Sequence, residues 1–98
     1  MRAPSLVSQL PAPQNPRLGL TDKSGELLFR FDRVKNARNY TIQTALSATG
    51  PWQEWDLYSS SRALITGLAP GQTYWARTCA NGTVGPSDWT VPTSAMAI

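Results

Sequence analysis

Residues 68–74 read Leu68-Ala69-Pro70-Gly71-Gln72-Thr73-Tyr74. Proline sets the φ that the first central position of a type II turn requires, and glycine accepts the positive φ of the second. A turn at Pro70-Gly71 sends Leu68 into a core just before it and returns Tyr74 to that core just after it. From there the tyrosine hydroxyl reaches a backbone group upstream. Such a tie is a tyrosine corner, which closes one end of a Greek-key sandwich.

The segments on either side have the period of strands. In residues 74–80, Tyr74, Ala76, Thr78 and Ala80 share one face, and Trp75, Arg77 and Cys79 share the other. Leu27, Phe29 and Phe31 point one way, with Glu26, Arg30 and Asp32 opposite and Leu28 breaking the pattern on the outer face. Tyr40 and Ile42 form the next inward pair, and Leu18 and Leu20 an earlier one. Residues 52–58 read as an aromatic-rich edge strand, residues 64–66 as a short strand and residues 89–93 as the closing strand. Turn residues separate them at 21–25, at Thr49-Gly50-Pro51 and in a loop from Asn81-Gly82 to Gly85-Pro86. No segment combines apolar residues at helical spacing with caps. The expectation is an all-β, seven-stranded antiparallel Greek-key sandwich of the immunoglobulin-like kind.

Ninety-eight residues suffice for one domain and are too few for two. Pro4, Pro11 and Pro13 favour extended backbone, so residues 1–12 read as a proline-rich linker and residues 13–98 as the domain. The chain has no histidine and one cysteine, Cys79. That removes histidine-based acid–base catalysis, histidine metal ligation and any intrachain disulfide, and it leaves no thiolate set for zinc. No catalytic residue, cofactor or metal is expected. The formal net charge of +3 is too small to demand nucleic acid, and none is expected as a partner. No stretch is long and apolar enough for membrane insertion, and the N-terminus lacks the continuous apolar run of a signal peptide.

The chain resembles the fibronectin type III family over nearly all of residues 13–93. The resemblance is carried by Pro16 to Leu20 in the first strand, Tyr40 opening the third, and the corner residues Leu68, Pro70, Gly71 and Tyr74. Arg77 follows three residues after the corner tyrosine, and Gly85, Ser87 and Trp89 come late in the chain. Phe31 stands where the family has a tryptophan, which changes core volume and not topology. Residues 34–40 give the pattern a bacterial flavour. The resemblance implies a non-catalytic module for protein interaction or spacing inside a larger protein, with a protein partner or neighbouring domains of the same chain. The family's adhesive Arg-Gly-Asp tripeptide is absent, so the loop of residues 81–88 reads as a connection. The family's cytokine-receptor relatives stack arginine and tryptophan around a tryptophan-serine box. This chain has Ser87 and Trp89 but Pro86 where the box has its first tryptophan, which leaves at most a smaller Trp89–Arg77 stack.

The candidate interaction surface is Trp52, Trp55, Trp75, Arg77 and Trp89. Exposed rings there would suit a protein partner or, as the alternative, a carbohydrate. Trp52 and Trp55 fall on opposite faces of an ideal strand, so at most one is core. The plainer reading has one ring capping the core and the other covering a sheet edge. Glu54 and Asp56 share a face of that edge strand and read as charges that discourage edge pairing. Arg30, Arg33, Lys35 and Arg38 form a solvated basic group around the loop after the second strand. Asn39-Tyr40-Thr41 and Asn81-Gly82-Thr83 fit the glycosylation sequon. Cys79, pointing outward, is expected to be accessible to oxidation between two copies.

Overall fold

A computed structural model describes residues 10–83 and 85–98, with residues 56–58 described by backbone alone. Among the described residues all regular structure is strand. The elements are β1 (Arg17–Leu20), β2 (Leu27–Arg30), β3 (Asn39–Ala45), β4 (Gln53–Tyr58), β5 (Arg62–Ile65), β6 (Thr73–Gly82), β7 (Gly85–Pro86) and β8 (Thr93–Met96).

They form two antiparallel sheets. The smaller has the order β1-β2-β5, and the larger has β4-β3-β6-β7, with β8 also on β6. β7 and β8 pair with opposite ends of β6 and are two pieces of one interrupted strand. Eight elements with these two counted as one give the expected seven strands. Between the two pieces, hydroxyls replace part of the regular ladder. Ser87 Oγ accepts the Ala80 N–H at 2.9 Å, and Thr90 Oγ1 accepts the Thr78 N–H at 3.2 Å. In return, the Ser87 and Thr90 amides donate to the Ala80 and Thr78 carbonyls.

The core lies between the sheets, where alternation sends every second side chain. β2 and β5 contribute Leu27, Phe29, Ala63 and Ile65, and β3 and β6 contribute Tyr40, Ile42, Ala76, Thr78 and Ala80. Phe31 is buried just beyond β2 and meets Tyr40 edge-on, with ring centroids 4.8 Å apart. The Tyr40 hydroxyl accepts the Val34 N–H at 2.9 Å, fixing the chain between β2 and β3.

Four expectations need correction. The last strand is β8, and residues 89–93 precede it; Val91 is exposed, because the hydroxyl bonds described above hold that stretch in place of a pleated ladder. β5 begins at Arg62, and its inward residues are Ala63 and Ile65, while Leu64 lies outside. Leu20 is exposed at the end of an edge strand, where no second layer covers it; only Leu18 of that pair reaches the core. The segment read as a loop from Asn81 to Pro86 also carries pairing, with Gly82 opposite Gly85.

Candidate functional site

The corner at residues 68–74 has the geometry its residues dictate. Gly71 has φ +85°, and the Gln72 N–H donates to the Ala69 carbonyl at 3.2 Å, closing a turn centred on Pro70 and Gly71. A Cβ at Gly71 would meet nothing within 4 Å, so glycine is required there by backbone conformation and not by space. Leu68 packs against the core. The Tyr74 hydroxyl accepts the Ala69 N–H at 2.8 Å. The turn is also tied to the end of the chain, because Gly71 N–H donates to the Ala97 carbonyl and Ala97 N–H to the Gln72 carbonyl. Tyr74 is half-buried, so the corner sits at the rim of the core and not deep within it.

The interaction candidates divide between two faces. On β6 the core takes Ala76, Thr78 and Ala80, leaving Trp75, Arg77 and Cys79 on the outer face of the larger sheet. There the Arg77 guanidinium lies 4.3 Å from the centre of the Trp89 ring and 4.4 Å from that of Trp52. Its Nε and Nη2 both donate to Gln43 Oε1, at 2.9 and 2.7 Å. Gln43 stands directly opposite Arg77 in the β3–β6 register. One row thus crosses the larger sheet, from Trp52 beside β4, through Gln43 and Arg77, to Trp89 beyond β6. Partial burial pulls the Arg77 guanidinium below its ordinary pKa, with the nearby Cys79 opposing; an arginine stays charged through any such shift.

Both rings belong to the candidate surface read from the sequence; the Trp89–Arg77 stack follows from the resemblance, whereas the Trp52–Arg77 contact has no signal in the sequence. β4 carries a register irregularity opposite Ile42 and Gln43, where Asp56 and Glu54 are their partners. The extra residue at that bulge is Trp55, which packs against the core. Trp55 therefore leaves the candidate surface, and Trp52, Trp75 and Trp89 remain on it, all half-buried. Glu54 is exposed on the β4 edge; the side chains of Asp56 and Tyr58 lie outside the described residues.

Farther along the same face the two sequons meet. Asn81 Nδ2 donates to Asn39 Oδ1 and to Thr41 Oγ1, each at 2.8 Å. The nitrogen that a glycan would modify is occupied in both bonds. Cys79 points to this face as expected but is buried, with its thiol directed at Asn81 Oδ1 at 3.9 Å. Neighbouring side chains on a flat sheet cover a short thiol, so the expectation of an accessible cysteine fails. Burial pushes the Cys79 thiol pKa up; hydrogen bonds with Thr41 and the Arg77 charge pull it back, and Glu54 adds to the rise.

A shallow depression of about 320 Å³ lies at the end of β3 and β4, lined by Thr44, Ala45, Leu46, Pro51, Gln53 and Tyr74. It contains no acid, base or thiol. Among the described residues no three His, Cys, Asp or Glu gather in a metal-binding group. No helix among them is long and apolar enough to cross a membrane.

No family model matches the chain, and no curated protein does. Solved structures do. An Fn3-like protein from Clostridium thermocellum superposes with TM-score 0.82 at 16% identity, covering 89% of this chain and 92% of that one. The sixth fibronectin type III domain of a human fibronectin type III domain containing protein gives TM-score 0.78 at 15% identity, over 92% and 87%. The twitchin kinase region from C. elegans gives TM-score 0.68 at 22% identity, over 88% of this chain but 17% of that one. With its sheet order, its tyrosine corner and these superpositions together, the chain has the fibronectin type III fold.

Proposed function

We propose that the chain is a non-catalytic interaction and spacer module of a larger protein, bacterial by the flavour of residues 34–40, and that it meets its partner or neighbouring domain through the outer face of the larger sheet. The domain is residues 13–98. The proline-rich segment before it serves as the linker, with Leu10 laid against the core near Gly82.

The observation that carries this reading is the Trp52–Arg77–Trp89 row. Two large rings stand half-exposed on one face, held rigid by a cation that Gln43 fixes in turn. Aromatic and arginine side chains with little rotamer freedom left to lose are what the centres of protein interfaces favour. The same geometry weighs against the carbohydrate alternative. A sugar needs an open ring face, and Arg77 already covers one face of Trp52 and one of Trp89.

Acrylamide quenching of tryptophan emission tests the proposal, comparing this chain with a longer natural protein that contains it. Quenching should fall in the longer protein, or on adding its partner, as the row is covered. Unchanged quenching there, together with emission changes on titrating oligosaccharides, would reverse the preference.

A further inference from the structure

The outer face of the smaller sheet carries a feature that the linear sequence disperses. Arg17 of β1 is registered opposite Arg30 of β2, and Arg30 is registered opposite Arg62 of β5. Their neighbours Leu18, Phe29 and Ala63 face the core, so all three arginines point outward, and all three are exposed. They form a straight row across the sheet, at strand spacings of about 4.8 Å. Like charges directly opposite on adjacent strands repel. Among the described residues the row has one ion pair, Arg17 Nη1 to Asp32 Oδ1 at 3.8 Å, and Asp32 also takes a hydrogen bond from Asn15. Among the described residues neither Arg30 nor Arg62 forms an ion pair. Two residues along the strands lies a second row, Gly19, Leu28 and Leu64, which is apolar. Leu64 is 43% exposed, and Gly19 leaves the space above it open.

We propose that this face binds an extended acidic segment of a protein lying along the strands, with a carboxylate on the arginine row and an apolar side chain on Leu28 and Leu64. Charge complementarity selects an anion. Guanidinium groups take carboxylates in a two-point geometry that fixes orientation. The apolar row selects a protein over a sulfated polysaccharide or nucleic acid, neither of which carries a branched aliphatic side chain beside its anionic groups. The rows lie about 7 Å apart, which is the spacing of residues i and i+2 on one face of an extended peptide. An acid and an aliphatic residue two positions apart therefore fit both rows at once. This face is the back of the sandwich relative to the tryptophan row, so the two surfaces stand or fall separately.

The test uses the 98-residue chain and a synthetic peptide repeating Glu-Ser-Leu-Ser three times, followed by amide NMR shifts. The shifts should concentrate in β1, β2 and β5. An Arg30→Gln/Arg62→Gln variant should weaken binding about tenfold or more, the usual scale for losing charge-assisted bonds. Leu64→Ser, or a peptide with serine in place of leucine, should weaken it severalfold. The arginine variant should melt no lower than the parent, because like-charge repulsion is relieved; lost binding then reports lost contacts and not unfolding. Shifts absent from these strands overturn the proposal. So does tighter binding of dextran sulfate or duplex DNA that is indifferent to Leu64→Ser, which would assign the face to a polyanion read by charge alone.

Discussion

The Tyr74 hydroxyl accepts the Ala69 N–H at 2.8 Å, five residues back across the Pro70-Gly71 turn, whereas the Tyr40 hydroxyl accepts the Val34 N–H at 2.9 Å from a ring that is 3% exposed. The two ties use the same chemistry at different depths. Ala69 is exposed, so water can replace a lost hydroxyl there. Val34 lies under partial cover and has less access to water.

Tyr74→Phe should therefore cost about 0.5–1.5 kcal/mol, the net worth of an ordinary hydrogen bond, and Tyr40→Phe about 1–3 kcal/mol, the range for a donor left without a partner. Urea melts of both variants check the order. A Tyr74→Phe loss larger than that of Tyr40→Phe would mean the corner is the more protected of the two.

Cys79 should label slowly in the folded protein, and non-reducing gels should show little dimer, since its thiol is covered and held protonated by burial. The sign of its pH effect follows. Its folded pKa is raised, so its contribution to stability is complete below the unfolded thiol value of about 8.5 and is lost as pH rises toward the folded value. Stability measured from pH 7 to pH 10 should fall more steeply for the parent than for Cys79→Ser. Equal slopes would show that the thiol has the same pKa in both states.

Much of this architecture is legible in the sequence. Phe29, Phe31, Tyr40 and Ile42 announce themselves by strict alternation, and Pro70, Gly71 and Tyr74 by residue types that suit one turn. What escaped notice depended on pairing partners remote in sequence. A bulge moves Trp55 inward, and Trp52 meets Arg77 from an edge strand two strands away. The closing strand was misplaced because Ser87 and Thr90 bond through side chains, which leaves no period to read. The arginine row was invisible for the same reason: Arg17 and Arg62 join Arg30 only through register, while Arg33, Lys35 and Arg38 are merely adjacent in sequence.

Replacing Arg77 by lysine keeps the charge and removes the planar fork. Both bonds to Gln43 and the stacked contacts with Trp52 and Trp89 depend on that fork. Arg77→Lys should cost about 1 kcal/mol, the scale of one partly exposed cation–π contact. Arg77→Ala should cost more and shift tryptophan emission to the red as two rings gain water. Unchanged emission in the alanine variant would show that the rings are held without the cation.

Among the described residues Thr78 is the one polar side chain with no exposure at all, placed beside Ile42, Ala76 and Ala80. Its amide and carbonyl are both used by Thr90, but its Oγ1 has no hydrogen-bond partner among the described residues. An unsatisfied buried hydroxyl costs about 1–3 kcal/mol, and replacing it by an apolar group of the same shape removes that cost. Valine has that shape and keeps the β-branch that suits a strand. Thr78→Val should therefore stabilise the domain by about 1 kcal/mol, which for a domain of this size raises Tm by about 4–8 °C. Thr78→Ala removes the hydroxyl and leaves a void beside Ile42, so it should gain less than valine or lose outright. Thermal melts of the three proteins decide between these outcomes. A valine variant less stable than the parent would mean that the Thr78 hydroxyl has a hydrogen-bond partner in solution, and a buried water in the core would then be the first group to look for.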